Sequence, residues 1–135
     1  KIMQGRRNAL YLLRNVQVTE QDALDCILSH DVEGGVIYAD PPYVLKGKKA
    51  NNLYGESWDI QQQQRFLDAV CAMRYSSVLI SGYDNDLYNS RLAGWWKYDI
   101  GEVHKAIAAV KEGGKKPSEH EFVWANYPII GGEKL

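Results

Sequence analysis

The 135-residue sequence predicts an α/β fold with a mostly parallel sheet that ends in an antiparallel hairpin. Three observations point there. Short apolar, β-branched runs at residues 36–39 and 78–80 have the length and content of buried strands. Between them, residues 59–73 repeat apolar side chains at helical spacing behind a capping pair, Asp59 with Gln62. Later, aromatic-rich runs at 95–102 and 121–127 read as an edge strand and its antiparallel partner, the second stopped by Pro128.

Size and charge set limits on what the fold can do. A chain of this length fits one domain, 1–135, with most of its unfolded surface buried. No apolar run approaches the roughly 20 residues of a membrane span, and no signal-peptide pattern opens the sequence. Cys26 and Cys71 lie far apart, each in an expected helix, and read as small buried hydrophobes in a reducing compartment. With His30, His104 and His120 they make no metal-ligand spacing, so no metal is expected. A net charge of −1 gives no global attraction to nucleic acid, so binding to it has to rest on local basic patches.

In order, residues 1–14 form a basic, amphipathic start with Arg6, Arg7 and Arg14 beside Leu10 and Leu13. The opening Lys1, entering a helix without a cap, leads us to expect an upstream portion. A short strand is expected at 16–18, followed by a helix capped through Thr19 and Asp22 and running to about Ser29. The run at 36–39 follows Gly34-Gly35. Residues 44–57 make a polar loop with Lys46, Lys48 and Lys49 close to Tyr54, a basic and aromatic patch suited to phosphates or simply solvated. The helix from Asp59 buries Phe66, Leu67, Val70, Cys71 and Met73, with Gln61 to Gln64 on its solvated side. The strand ending at Ser81 meets Gly82, and Asp84 or Asn85 caps a short helix stopped at Gly94. Residues 105–118 are a basic insertion with Lys115 and Lys116, a second candidate for nucleic-acid contact. Phe122 and Trp124 read as core, and 129–135 as a fraying end.

The chemistry concentrates in Asp40-Pro41-Pro42-Tyr43. Two prolines with fixed φ and no N–H end the strand at once. An acid and an aromatic ring are thereby held on a stiff backbone at the end of a strand, where open α/β sheets bind ligands. Such a tip suits a planar ring bearing an amine: the acid accepts from the amine and the Tyr stacks on the ring face.

Asp40-Pro41-Pro42-Tyr43 resembles the catalytic motif of S-adenosylmethionine-dependent amino-methyltransferases, in particular the DNA adenine-N6 methyltransferases of phage and prophage type. Flanking blocks extend the likeness: Leu13-Arg14-Asn15-Val16-Gln17-Val18 with Asp22, Ser81-Gly82-Tyr83 with Leu87-Tyr88, and Glu121-Phe122-Val123-Trp124-Ala125-Asn126. The family opens on a Gly-rich strand-turn for the methyl donor, and this sequence has none.

The resemblance implies a partial Rossmann-like methyltransferase fold, the catalytic-motif part of a larger domain. It implies Asp40, Pro41, Pro42 and Tyr43 as catalytic residues, and Asp22 with Asp40 as contacts to S-adenosyl-L-methionine. It further implies double-stranded DNA as partner, met through Lys46, Lys48, Lys49, Tyr54, Lys115 and Lys116, in the cytoplasm of a bacterial or phage-infected cell. Asp22 has a second reading as a helix cap. Without the Gly-rich turn, donor binding by this chain alone is expected to be weak or nil, and the chain alone is expected to be inactive. The strand at 36–39 should keep an open edge, to be completed by an N-terminal segment or by another copy. Two alternatives stay open: a methyltransferase acting on RNA or a glutamine amide, and a non-catalytic DNA- or protein-binding subunit.

Overall fold

A computed structural model describes residues 11–44, 58–104 and 118–135. Five strands form one sheet in the order β1-β2-β4-β3-β5: β1 Val36–Ala39, β2 Ser77–Tyr83, β3 Trp96–His104, β4 Ser118–Ala125 and β5 Glu133–Lys134. Among the described residues, helices at Ala23–Ser29 (α1), Ile60–Ala72 (α2) and Asp86–Arg91 (α3) accompany them, and residues 11–13 are helical as well.

The sheet is mixed rather than mostly parallel. Only β1 and β2 run parallel, while β2–β4, β3–β4 and β3–β5 are all antiparallel. The hairpin accounts for this correction. Its second strand, β4, inserts between β2 and β3, so each of its two edges makes an antiparallel ladder. β3 is consequently not the edge strand that the sequence suggests. The end of the chain does not fray either, because β5 pairs with Trp96 and Lys97 and Leu135 N–H bonds the Trp95 carbonyl.

Other elements differ in instructive ways. Residues 16–18 form no strand: Val16 N–H closes a turn onto the Leu13 carbonyl, and Val18 is exposed. α1 starts only at Ala23, because Asp22 is itself the cap, accepting from Leu24 N–H at 2.9 Å and Asp25 N–H at 3.3 Å. β1 is not a buried strand. It lies at the sheet edge, with Val36 and Tyr38 exposed and Ile37 and Ala39 turned toward the core. Cys26 is half-buried and Cys71 exposed, so neither is the buried hydrophobe expected.

The core lies on one face of the sheet. Val78 and Ile80 of β2 and Trp124 of β4 pack with Phe66, Leu67 and Val70 of α2, with Tyr88 of α3 and with Leu92. Asp59 and Gln62 close the capping box that starts α2. Its glutamine run is not all solvated surface, however. Gln63 is buried, as its position three and four residues before Phe66 and Leu67 requires. Lys97 is buried on the same face. Its ammonium meets Asp84 Oδ1 at 2.6 Å and lies 4.4 Å from the centre of the Phe122 ring.

One carboxylate ties together the two connections that lead from a helix into a strand, α1 to β1 and α2 to β2. Asp31 accepts from the backbone N–H groups of Arg74, Tyr75 and Ser76 at 2.9–3.0 Å. Chain direction turns at Val32–Gly35, where Gly34 takes φ +74° and Gly35 N–H bonds the Val32 carbonyl. A side chain at Gly35 would come within 2.7 Å of Ser76 Oγ, so this position has to be glycine.

The Arg74 N–H, first among these donors, holds the Asp31 carboxyl below its ordinary value of 3.8. Its stabilisation is thus present above that value and is lost as pH falls through the lower folded-state value. Asp31→Asn should melt below wild type at neutral pH, and the gap should close as pH drops below 3.8. A gap that persists in acid would show that charge is not the cause. In the core, Tyr88→Phe removes the hydroxyl that donates to Gln63 Oε1 at 2.7 Å. Urea unfolding should register a loss of about 1–3 kcal/mol for the orphaned buried oxygen.

Candidate active site

β1 is short because prolines follow it, and that shortness sets the site. In the parallel ladder Ala39 faces Ile80, so the next residues, Asp40 and Ser81, emerge side by side. Ser81 Oγ donates to Asp40 Oδ1 at 3.1 Å. Asp40 is exposed, so its carboxylate is presented at the strand tip and not turned into the core.

Pro41 is buried and Pro42 half-buried. The Pro42 carbonyl accepts from Gln63 Nε2 at 2.6 Å, and Gln63 in turn accepts from the Tyr88 hydroxyl. A proline turn that cannot donate hydrogen bonds is therefore anchored through a carbonyl to α2 and onward to α3.

Tyr43 crosses to the other side of the tip. Its ring meets Tyr83 edge-on at 4.7 Å between centroids, and its Cδ1 lies 3.9 Å from where a side chain at Gly82 would begin. Its hydroxyl donates to Glu121 Oε1 at 2.6 Å and lies 3.4 Å from Ser81 Oγ. Burial, and next the Glu121 carboxylate, push the Tyr43 phenol far above its ordinary value of 10.0, so it stays a neutral donor.

On the α1 side, a cleft of about 880 Å³ runs along β1. That is large enough for a nucleoside-sized ligand. Leu24 and Ile27 of α1, Ile37 of β1, and Trp58 and Phe66 give it apolar walls, and Asp22 and Asp40 supply carboxylates. Both helix-capping bonds at Asp22 fall on Oδ1, which leaves Oδ2 to accept from a ligand amine. Cap and ligand contact are thus compatible at one residue.

Asp22, Asp40, Pro41 and Pro42 line this one cleft, whereas Tyr43 stands outside its lining. Lys46, Lys48, Lys49, Tyr54, Lys115 and Lys116 lie outside the described residues. Among the described residues no cluster of His, Cys, Asp or Glu could hold a metal ion, and no helix is long and apolar enough to cross a membrane.

Three residues at the site escape a sequence reading of function. Gln63 could have been found from its helical phase with Phe66 and Leu67. Ser81 and Glu121 fall inside blocks of the family resemblance, but the part each plays needs a strand pairing that a single sequence does not display.

No curated protein matches the chain. The sequence pattern of the D12 class N6 adenine-specific DNA methyltransferases matches residues 4–105, spanning the tip, the cleft and β2. By that match, over most of its length, the chain belongs to the D12 class N6 adenine-specific DNA methyltransferase family.

Proposed function

We propose that the chain carries the amine-accepting side of S-adenosylmethionine-dependent methyl transfer to N6 of adenine in DNA. The observation that carries the reading is the exposed Asp40 carboxylate, fixed at the end of β1 and lining the same cleft as Asp22.

The chemistry follows from what an adenine amine lacks. Its lone pair is delocalised into the ring, so attack needs the nitrogen to become pyramidal. Asp40 accepts one amine hydrogen and the Pro41 carbonyl the other, which favours that geometry and the positive charge that develops as the N–C bond forms. Acceptors that strengthen in the transition state contribute about 10²–10⁴-fold. The bound donor supplies an electrophilic methyl group and leaves as a thioether. The nitrogen then sheds a proton to Asp40 or to water. Pro42 serves differently: with its carbonyl held by Gln63, it fixes the turn.

Tyr43, outside the cleft and already in contact with Tyr83 and Glu121, stacks on the base only from the outer side of the tip, a contact worth about 1–3 kcal/mol that partly offsets taking the base out of the duplex. Asp22 Oδ2 accepts from the amine of the donor's own adenine. Lys46, Lys48, Lys49, Lys115 and Lys116 neutralise phosphates of double-stranded DNA, with Tyr54 as a second aromatic wall. Because the sequence has no Gly-x-Gly turn, the chain by itself binds the donor weakly or not at all, and any turnover of its own is residual. Assays therefore call for a high donor concentration.

The test is transfer from a donor with a deuterated methyl to an adenine-containing duplex, read by mass spectrometry of the nucleosides. Wild type should give N6-trideuteromethyladenine. Asp40→Ala should give at least ~100-fold less at an unchanged melting temperature. Equal product from the variant would remove Asp40 from the mechanism, and label on another base or on none would overturn the reading.

A further inference from the structure

We infer that Ser81 is a positioning residue that orients the Asp40 carboxylate and separates its duty from that of Tyr43. The inference rests on Asp40 being the amine acceptor, and goes beyond it by assigning the group that holds that acceptor in place.

Four side chains converge on one buried hydroxyl and its surroundings. Ser81, 1% exposed, lies on the sheet face opposite the core, the face shared by Tyr38 and Leu79 of the paired strands. Its Oγ is 3.1 Å from Asp40 Oδ1, 3.0 Å from the Tyr38 hydroxyl and 3.4 Å from the Tyr43 hydroxyl. The Tyr43 hydroxyl is in turn 2.6 Å from Glu121 Oε1.

Proton counting fixes the directions. A serine hydroxyl has one hydrogen to give and two lone pairs with which to accept, and an ionised carboxylate can only accept. The Ser81 hydrogen therefore points to Asp40 Oδ1, and the Tyr38 hydroxyl donates to Ser81. The single Tyr43 hydrogen goes to Glu121, because a short bond to a carboxylate outweighs a long one to a neutral hydroxyl. The outcome is two principal lines, Tyr38 to Ser81 to Asp40 and Tyr43 to Glu121, with the Tyr43 hydroxyl near enough to Asp40 for a weaker contact between them.

This arrangement has a use. Asp40 is exposed and follows a four-residue strand, so on its own its carboxylate could rotate about the side-chain torsions. Holding Oδ1 from a buried, immobile hydroxyl on β2 turns Oδ2 into a fixed acceptor for the incoming amine. Assigning the Tyr43 proton to Glu121 leaves that phenol only the weaker contact with Asp40. Ser81 touches neither substrate nor donor in this scheme and acts only through Asp40.

The test compares wild type, Ser81→Ala and Ser81→Thr. Ser81→Ala removes one oxygen and should leave the melting temperature within a few degrees, while Ser81→Thr restores the hydroxyl. With Asp40 labelled by ¹³C, three-bond couplings should report one side-chain rotamer in wild type and Ser81→Thr, and averaging in Ser81→Ala. In single-turnover transfer at high donor, Ser81→Ala should fall about 10–100-fold, with DNA affinity within ~2-fold of wild type and Ser81→Thr recovering most of the rate. A single Asp40 rotamer in Ser81→Ala, or transfer by that variant at the wild-type rate, overturns the inference. If wild type transfers no methyl at all, the proposed function fails, while the couplings still decide whether Ser81 holds Asp40.

Discussion

The parallel pairing of β1 with β2 is the constraint on which the site depends. Four residues of ladder, from Val36 opposite Ser77 to Ala39 opposite Ile80, determine that Asp40 leaves the sheet beside Ser81. A slip of one residue would turn Ile37 and Ala39 away from the core and bring Asp40 level with Ile80 or Gly82. Such a short strand cannot hold its register by hydrogen bonds alone. Asp31 and Ser76 hold it from the N-terminal side, by binding the entry to β1 to the entry to β2. Gln63 holds it from the other end, through the Pro42 carbonyl. The ladder is thus pinned at both ends by side chains that bond backbone groups.

These pins explain how an edge strand with exposed Val36 and Tyr38 can carry precise chemistry. Rigidity comes from elsewhere in the sheet. β2 is central, flanked by β1 and β4, and contributes the fully buried Val78 and Ile80. β4 supplies Trp124 to the core and Glu121 to the opposite face. Among the described residues no buried side-chain polar atom lacks a partner. Ser81 is one of those buried groups, with the Tyr38 hydroxyl and Asp40 Oδ1 as partners.

Much of this was legible in the sequence, for physical reasons that differ by element. The α2 boundary followed from a capping box with its apolar stripe, and the strand runs from their β-branched content. The abrupt end at Asp40 followed from proline stereochemistry, which is local and needs no tertiary context. The family was readable because the resemblance rests on a contiguous motif and several short blocks; the family match covers residues 4–105 and stops short of the block at Glu121. What failed was non-local. Strand order is invisible in one sequence, so β4 between β2 and β3 turned an expected parallel sheet into a mixed one. A strand at 16–18 looked plausible by composition, but strand propensity without a partner edge yields no strand. Gln63 was misread because a run of glutamines suggests solvent, whereas helical phase places the third of them in the core. Asp31 has no motif around it, and the blocks that hold Ser81 and Glu121 assign neither a partner. Each acquires its role only from what the fold sets beside it.

Recognition of an amino-bearing ring by this strand tip can be measured without turnover. Nuclear magnetic resonance titration with a single-stranded oligonucleotide holding one adenine should shift the signals of Asp40, Tyr43 and Ser81 together and saturably. The same oligonucleotide with thymine in place of adenine should leave them unmoved. Equal shifts with both, or shifts confined to residues away from the tip, would contradict the account.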